Sequence, residues 1–141
     1  MYPRILVALE NSDTDQAILA HIERLAKQLQ STVVLVHVAD GWVARSWSHL
    51  NLAESDEMRQ DRAYLESVRE RLSAAGIPAE TVLLQGEPAD EIVRVAEEKR
   101  VDLIAMSTHG HRFLADLVFG STARKVRHTV QIPVLLLKAP R

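Results

Sequence analysis

"RILVALE" (residues 4–10), "NSDTDQAILAHIERLAKQLQ" (11–30) and "STVVLVHVAD" (31–40), three consecutive stretches near the start of the chain, decide the fold. The first is a short continuous apolar run rich in branched side chains, the mark of a strand buried on both faces. In the second, Ser12 with Asp15 three positions on makes an acidic variant of the capping box, and Ile18, Ile22, Leu25, Ala26 and Leu29 recur at helical spacing. The third repeats the strand signal. A strand, an amphipathic helix and a second buried strand in direct succession form the unit that joins parallel neighbours in a sheet.

The alternation continues to the end of the chain. Residues 54 to about 75 carry Met58, Leu65, Val68 and Leu72 on one stripe, until Gly76 and Pro78 stop the helix. "ETVLLQ" (80–85) is a third strand, and it turns at Gly86 into a helix led by Pro88, whose missing amide hydrogen costs nothing in a first turn. "VDLIAMS" (101–107) is a fourth strand, Gly120 or Ser121 is expected to open the last helix, and "IPVLLLK" (132–138) is a fifth strand. The pattern predicts an α/β fold of Rossmann-like type: an open five-stranded parallel sheet with right-handed crossovers and helices on both faces. No internal repeat, low-complexity tract or linker interrupts it, so residues 1–141 are expected to form a single domain. With strand order 3-2-1-4-5, strands one and four are neighbours where the order reverses, and ligands bind such sheets beyond the carboxyl ends at that point. The loops that begin at Glu10 and Ser107 border this crevice.

Composition limits what the crevice can hold. A chain of 141 residues with 47% hydrophobic and 26% charged side chains suits one globular domain with a sufficient core. Its 17 basic and 19 acidic side chains give a formal charge of -2, so no global field draws it to nucleic acid or an anionic membrane; any anion site must be local. The absence of cysteine excludes disulfides, a thiolate nucleophile and thiolate metal ligation, and suits a reducing compartment. The beginning "MYPRILVALE" is too quickly polar for a signal peptide and no apolar run nears the length of a membrane span, so a cytoplasmic protein is expected.

The segment "STHGHRFLADLVFGST" (107–122) stands apart from the rest. Gly110 and Gly120 remove side chains where backbone must approach something closely or turn sharply, and the amides at a helix start favour an anion. Ser121 and Thr122 add hydroxyls, Arg112 a planar fork of donors, and His109 and His111 further donors. These groups could cradle a phosphate, although two glycines in a connection more often mark a structural turn. Neither the G-x-x-x-x-G-K-[ST] loop nor the G-x-G-x-x-G fingerprint occurs.

This segment resembles the nucleotide-binding signature of the universal stress protein family, G-x-x-G, nine residues, then G-[ST]. Residues 107–110 stand for the first part, "HRFLADLVF" supplies the nine, and Gly120 with Ser121 closes it. The resemblance extends to "RILVALENSD", "LVHVAD", "GEPADEIVRVAEEKRVDLIAMSTHG" and "IPVLLLK", and is least at residues 41 to 60. It implies an adenine nucleotide alpha hydrolase-like sheet, a homodimer through the last strand (132–138), and binding of ATP, ADP or AMP, with room for magnesium or manganese beside the phosphates. Carried over, adenine lies near Ala8, Leu9 and Val38, with Met106 in the same set. The ribose lies against Glu10 and Ser107, and the phosphates on the amides of Gly110, Gly120, Ser121 and Thr122, with His109 and Arg112 close by. Three positions depart from the pattern: Ser107 replaces the first glycine, Glu10 the usual aspartate, and Asn11 a frequent glycine, although asparagine tolerates positive φ.

The remaining conspicuous residues have plainer explanations. His37, in an apolar strand, reads as a satisfied core histidine. His109 and His111 lack a third ligand at metal spacing, so no metal site is assigned. Arg124, Lys125, Arg127 and His128 oppose the negative end of the last helix dipole. Trp42 and Trp47 read as packing, and "EMRQDRAYLESVRERL" as a helix with one wet face. Catalysis would need a positioned base and a metal held by carboxylates, whereas only Glu10, Asp40 and Asp116 present themselves, with Arg112. The expected function is therefore a dimeric stress-response and signalling module, with an unidentified protein partner, in which nucleotide occupancy orders the loop 107–121. A slow ATP hydrolase, a binder of cyclic AMP and a member without nucleotide are the alternatives.

Overall fold

The computed structural model describes residues 1–39, 56–108 and 116–138, with the backbone alone described at 116–120. The elements are β1 (Arg4–Ala8), α1 (Asp15–Leu29), β2 (Thr32–Ala39), α2 (Asp56–Ala74), β3 (Ala79–Gln85), α3 (Pro88–Glu98), β4 (Leu103–Thr108), α4 (Asp116–Thr129) and β5 (Val134–Lys138). The strands form one parallel sheet, as the strand and helix alternation predicts, in the expected order β3-β2-β1-β4-β5.

Alternating strand residues divide the apolar side chains between two cores. Ile5, Val7, Leu9, Val33, Leu35, Leu103 and Ala105 point to the side where Ile18, Leu19 and Ile22 of α1 and Leu65, Val68 and Leu72 of α2 cover them. Leu6, Val34, Val36, Ile104 and Met106 point to the other, beneath Ile92, Val95 and Ala96 of α3 and Ala123 and Val126 of α4. Burial on both faces is why these strands read as continuous apolar runs.

Local chemistry moves several boundaries. Val101 still donates its amide to the Ala96 carbonyl at 3.1 Å, which makes it part of the exit from α3, so β4 starts at Leu103 rather than at 101. Pro133 has no amide hydrogen to give and contributes only its carbonyl, which accepts from Ile104 at 3.1 Å; β5 accordingly starts at Val134. The largest shift is in α4. It starts at Asp116, not at Gly120 or Ser121, so Gly120 is its fifth residue. An acidic residue suits the positive end of a helix dipole, and an interior glycine costs only about 1 kcal/mol relative to alanine, which the apolar neighbours of α4 can offset.

At the amino ends of the strands, Arg4 fixes three neighbours. Its amide donates to the Asp102 carboxylate at 3.0 Å, its Nε to the Lys99 carbonyl at 2.8 Å, and its guanidinium meets Glu80 at 3.2 Å. The opposite, carboxyl edge carries the loops. Because Leu65 of α2 is buried in the first core, Leu65→Ala is expected to lower the unfolding free energy by about 2–5 kcal/mol, read from the urea midpoint.

Candidate functional site

The site is built where β1 ends. Ala8 lies opposite Val36 of β2 and Met106 of β4, and Val38 follows Val36 two residues on along the same face. Val36, Ala8 and Met106 therefore form an apolar row across three adjacent strands on the α3 and α4 side, and Val38 continues it towards the carboxyl edge. Leu9 makes the last ladder bond, its amide donating to the Val36 carbonyl at 2.8 Å, and turns its side chain into the other core.

Beyond Leu9 the chain must reverse into α1. Asn11 adopts φ 61, the left-handed conformation that asparagine tolerates. The polar groups of this turn converge on Asp15, a carboxylate that is 0% exposed. It accepts the amides of Glu10 at 2.9 Å and Asn11 at 2.8 Å, and the Tyr64 hydroxyl of α2 at 2.6 Å. A buried carboxylate persists only when donors surround it, and these three supply that. The capping box expected from Ser12 and Asp15 is thereby corrected. Thr14 is the N-cap, without a side-chain cap bond, and Asp15 reaches back to the turn instead. The Ser12 carbonyl accepts the Asp15 amide at 3.0 Å, so the two residues are linked by main chain alone.

Thr14 joins the two sides of the crevice. Its carbonyl accepts the Ser107 hydroxyl of β4 at 3.3 Å, and its own hydroxyl donates to Glu10 Oε2 at 3.3 Å. Glu10 and Ser107, predicted from separate loops, are thus held around one threonine. His37 fits its reading as a satisfied histidine: Nδ1 lies 2.8 Å from the Leu9 carbonyl and Nε2 lies 3.3 Å from Asp61 of α2. Asp61 also accepts the Asn11 side-chain amide at 2.9 Å.

Of the expected site residues, the structure brings Ala8, Leu9, Glu10, Val38, Met106 and Ser107 to one edge. Gly120, Ser121 and Thr122 lie within α4, whose Ala123 and Val126 pack beneath the sheet. His109, Gly110 and Arg112 fall outside the described residues, as do Asp40, Trp42, Trp47 and His111. Lys125, from the basic cluster, instead meets Asp90 at 3.0 Å and Glu87 at 3.5 Å at the start of α3. Sequence reasoning missed Asp15 as the hub of the turn, and with it Asp61 and Tyr64. Their one-turn spacing on α2 was a usable signal, but the density of charge around them reads as a solvated face.

Similarity to known proteins follows this architecture. The family model described as "Universal stress protein family" matches residues 1–138. The chain belongs to the universal stress protein family. It is 31% identical to universal stress protein MJ0531 of Methanocaldococcus jannaschii over all of this chain and 85% of that protein. It is also 31% identical to universal stress protein YxiE of Bacillus subtilis, over 98% of this chain and all of the other. Among solved structures, that of hypothetical protein MJ0577 superposes with a TM-score of 0.81 at 27% identity, covering 100% and 99% of the two chains. A universal stress protein in complex with cAMP shares the fold at TM-score 0.73 and 20% identity, over 97% of each chain. Another, from Archaeoglobus fulgidus in complex with dAMP, does so at 0.70 and 22%, over 98% of each. Among the described residues no helix is long and apolar enough to cross a membrane.

Burial, and then the hydrogen bond to Asp15, push the Tyr64 hydroxyl far above its ordinary value of 10.0. The folded state therefore holds this proton more tightly than the unfolded chain. Its stabilisation is complete below the unfolded value and is lost as pH rises above it towards the folded one. Tyr64→Phe is expected to flatten the fall of the urea midpoint between about pH 10 and 11.5, measured against the unsubstituted protein.

Proposed function

We propose that this universal stress protein binds ATP or another adenine nucleotide at the crevice between the ends of β1 and β4, and acts as a dimeric signalling module in the cytoplasm. The observation that carries the reading is the union of Glu10 and Ser107 around Thr14, beside the half-buried Ala8 and Val38. The half-buried Ala8 and Val38, with one carboxylate and one hydroxyl beside them, have the chemistry to hold adenine and grip ribose. The parallel topology directs the start of α4 to the same edge of the sheet, and a helix start favours phosphate through its unpaired amides. The glycine signature from Ser107 to Ser121 and the cAMP and dAMP complexes of the fold relatives support the same ligand class.

The residues fit binding better than hydrolysis. Glu10 accepts the Thr14 hydroxyl and is exposed, whereas Asp15 is buried and already holds three donors, so neither is poised to activate water. Among the described residues no three His, Asp or Glu side chains converge as a metal site.

Nucleotide binding is tested by calorimetric titration with ATP, AMP, cyclic AMP and adenosine. Gly120→Asp, which adds a negative charge in the second turn of α4, is expected to weaken ATP about tenfold or more while adenosine is unchanged. Equal ATP affinity in the variant would refute the phosphate assignment.

Dimerisation through the last strand rests on β5. It is the final strand in the sheet order, and Leu136 on it is 38% exposed. An apolar open edge invites a second copy of itself across a two-fold axis. Leu136→Lys is expected to shift the protein from dimer to monomer in sedimentation equilibrium.

A further inference from the structure

We propose that Asp61 and Tyr64 of α2 are positioning residues for the nucleotide site: with Asp15 and His37 they clamp the Leu9–Asn11 turn so that the Glu10 side chain faces the crevice. This inference rests on the nucleotide-binding reading and assigns it a remote control point on a helix that itself contributes none of the expected ligand contacts.

The three residues of the turn are held one after another. The Leu9 carbonyl lies 2.8 Å from His37 Nδ1, and because a carbonyl can only accept, Nδ1 is the donor in that bond. The Glu10 and Asn11 amides both go to Asp15, and the Asn11 side-chain amide goes to Asp61. Two of these holders are themselves fixed from α2. Tyr64 donates to Asp15 at 2.6 Å, while Asp61 closes on His37 Nε2 at 3.3 Å. Asp61 and Tyr64 lie one turn apart on α2, so a single helix face presents both. The Asp61 and His37 side chains are only 13% and 12% exposed, which shields their pairing from water.

The chemistry favours positioning over bulk stability. Apolar side chains of similar size could anchor α2 at less desolvation cost than two carboxylates, a phenol and an imidazole. What the polar set adds is direction. Each bond fixes one group of a turn that includes a left-handed residue, and together they hold the Glu10 backbone from both sides. The Glu10 carboxylate then projects beside Thr14 and Ser107, where ribose is expected. A helix displacement of a fraction of an ångström reaches the ligand through this turn.

The test uses Tyr64→Phe, which removes one bond while keeping shape, and Asp61→Ala, which removes the contacts to both Asn11 and His37. In nucleotide-free protein, hydrogen exchange of the Glu10 and Asn11 amides is expected to quicken about tenfold or more, with the amides of Ile5 to Val7 unchanged. Affinity for both ATP and adenosine is expected to fall about tenfold, because the grip on ribose is shared by the two ligands. The loss should vanish in a Glu10→Ala background, a non-additivity that a merely structural contribution does not produce. Unchanged affinity in both variants, or a full additional loss on top of Glu10→Ala, overturns the proposal. If the unsubstituted protein binds neither ATP nor adenosine, the nucleotide reading fails and the positioning role with it; the exchange result then separately decides whether the clamp holds the turn.

Discussion

Strand β1 pairs with β2 on one side and with β4 on the other, and this double pairing constrains everything that follows. The chain leaves β1 through α1 to β2 and on to β3, then returns to the far side to lay down β4 and β5. Right-handed crossovers require the two excursions to cover opposite faces, so α1 and α2 share one core, and α3 and α4 the other. At the end of β1 the departing chains diverge, and a crevice opens that no helix can fill from either side.

Such a crevice exposes the last turn of a central strand, whose backbone groups need partners. Here the partners are side chains rather than another strand. Asp15, from the first turn of α1, gathers two successive amides, and α2 contributes the phenol and the carboxylate that complete the network. The turn beside the candidate ligand is thus among the most heavily tied pieces of loop in the described residues, as pre-organised recognition of a ligand requires.

The architecture was readable because its signals are short in range. A continuous branched apolar run, an amphipathic stripe such as Met58, Leu65, Val68 and Leu72, and a Gly76 to Pro78 stop each operate within one element. The errors arose where a residue answers to a distant partner. Asp15 three positions after Ser12 satisfies a local capping rule, yet Tyr64, far along the chain, claims its carboxylate. Gly120 reads as a helix opener by its neighbours, yet α4 runs through it from Asp116. His37 was legible as satisfied, but not by whom: its partners sit on the β1 turn and on α2.

The sequence by itself determined the α/β class, the alternation of strands and helices and, through its motifs, the family, because periodicity, spacing and motifs are properties of contiguous residues. Only the tertiary structure decided which polar side chains meet at the carboxyl edge of the sheet. Hydrogen bonds between Asp15 and Tyr64, Asp61 and Asn11, or Thr14 and Ser107 depend on where whole helices and strands come to rest. That placement follows from packing two cores against one sheet, and no local pattern encodes it.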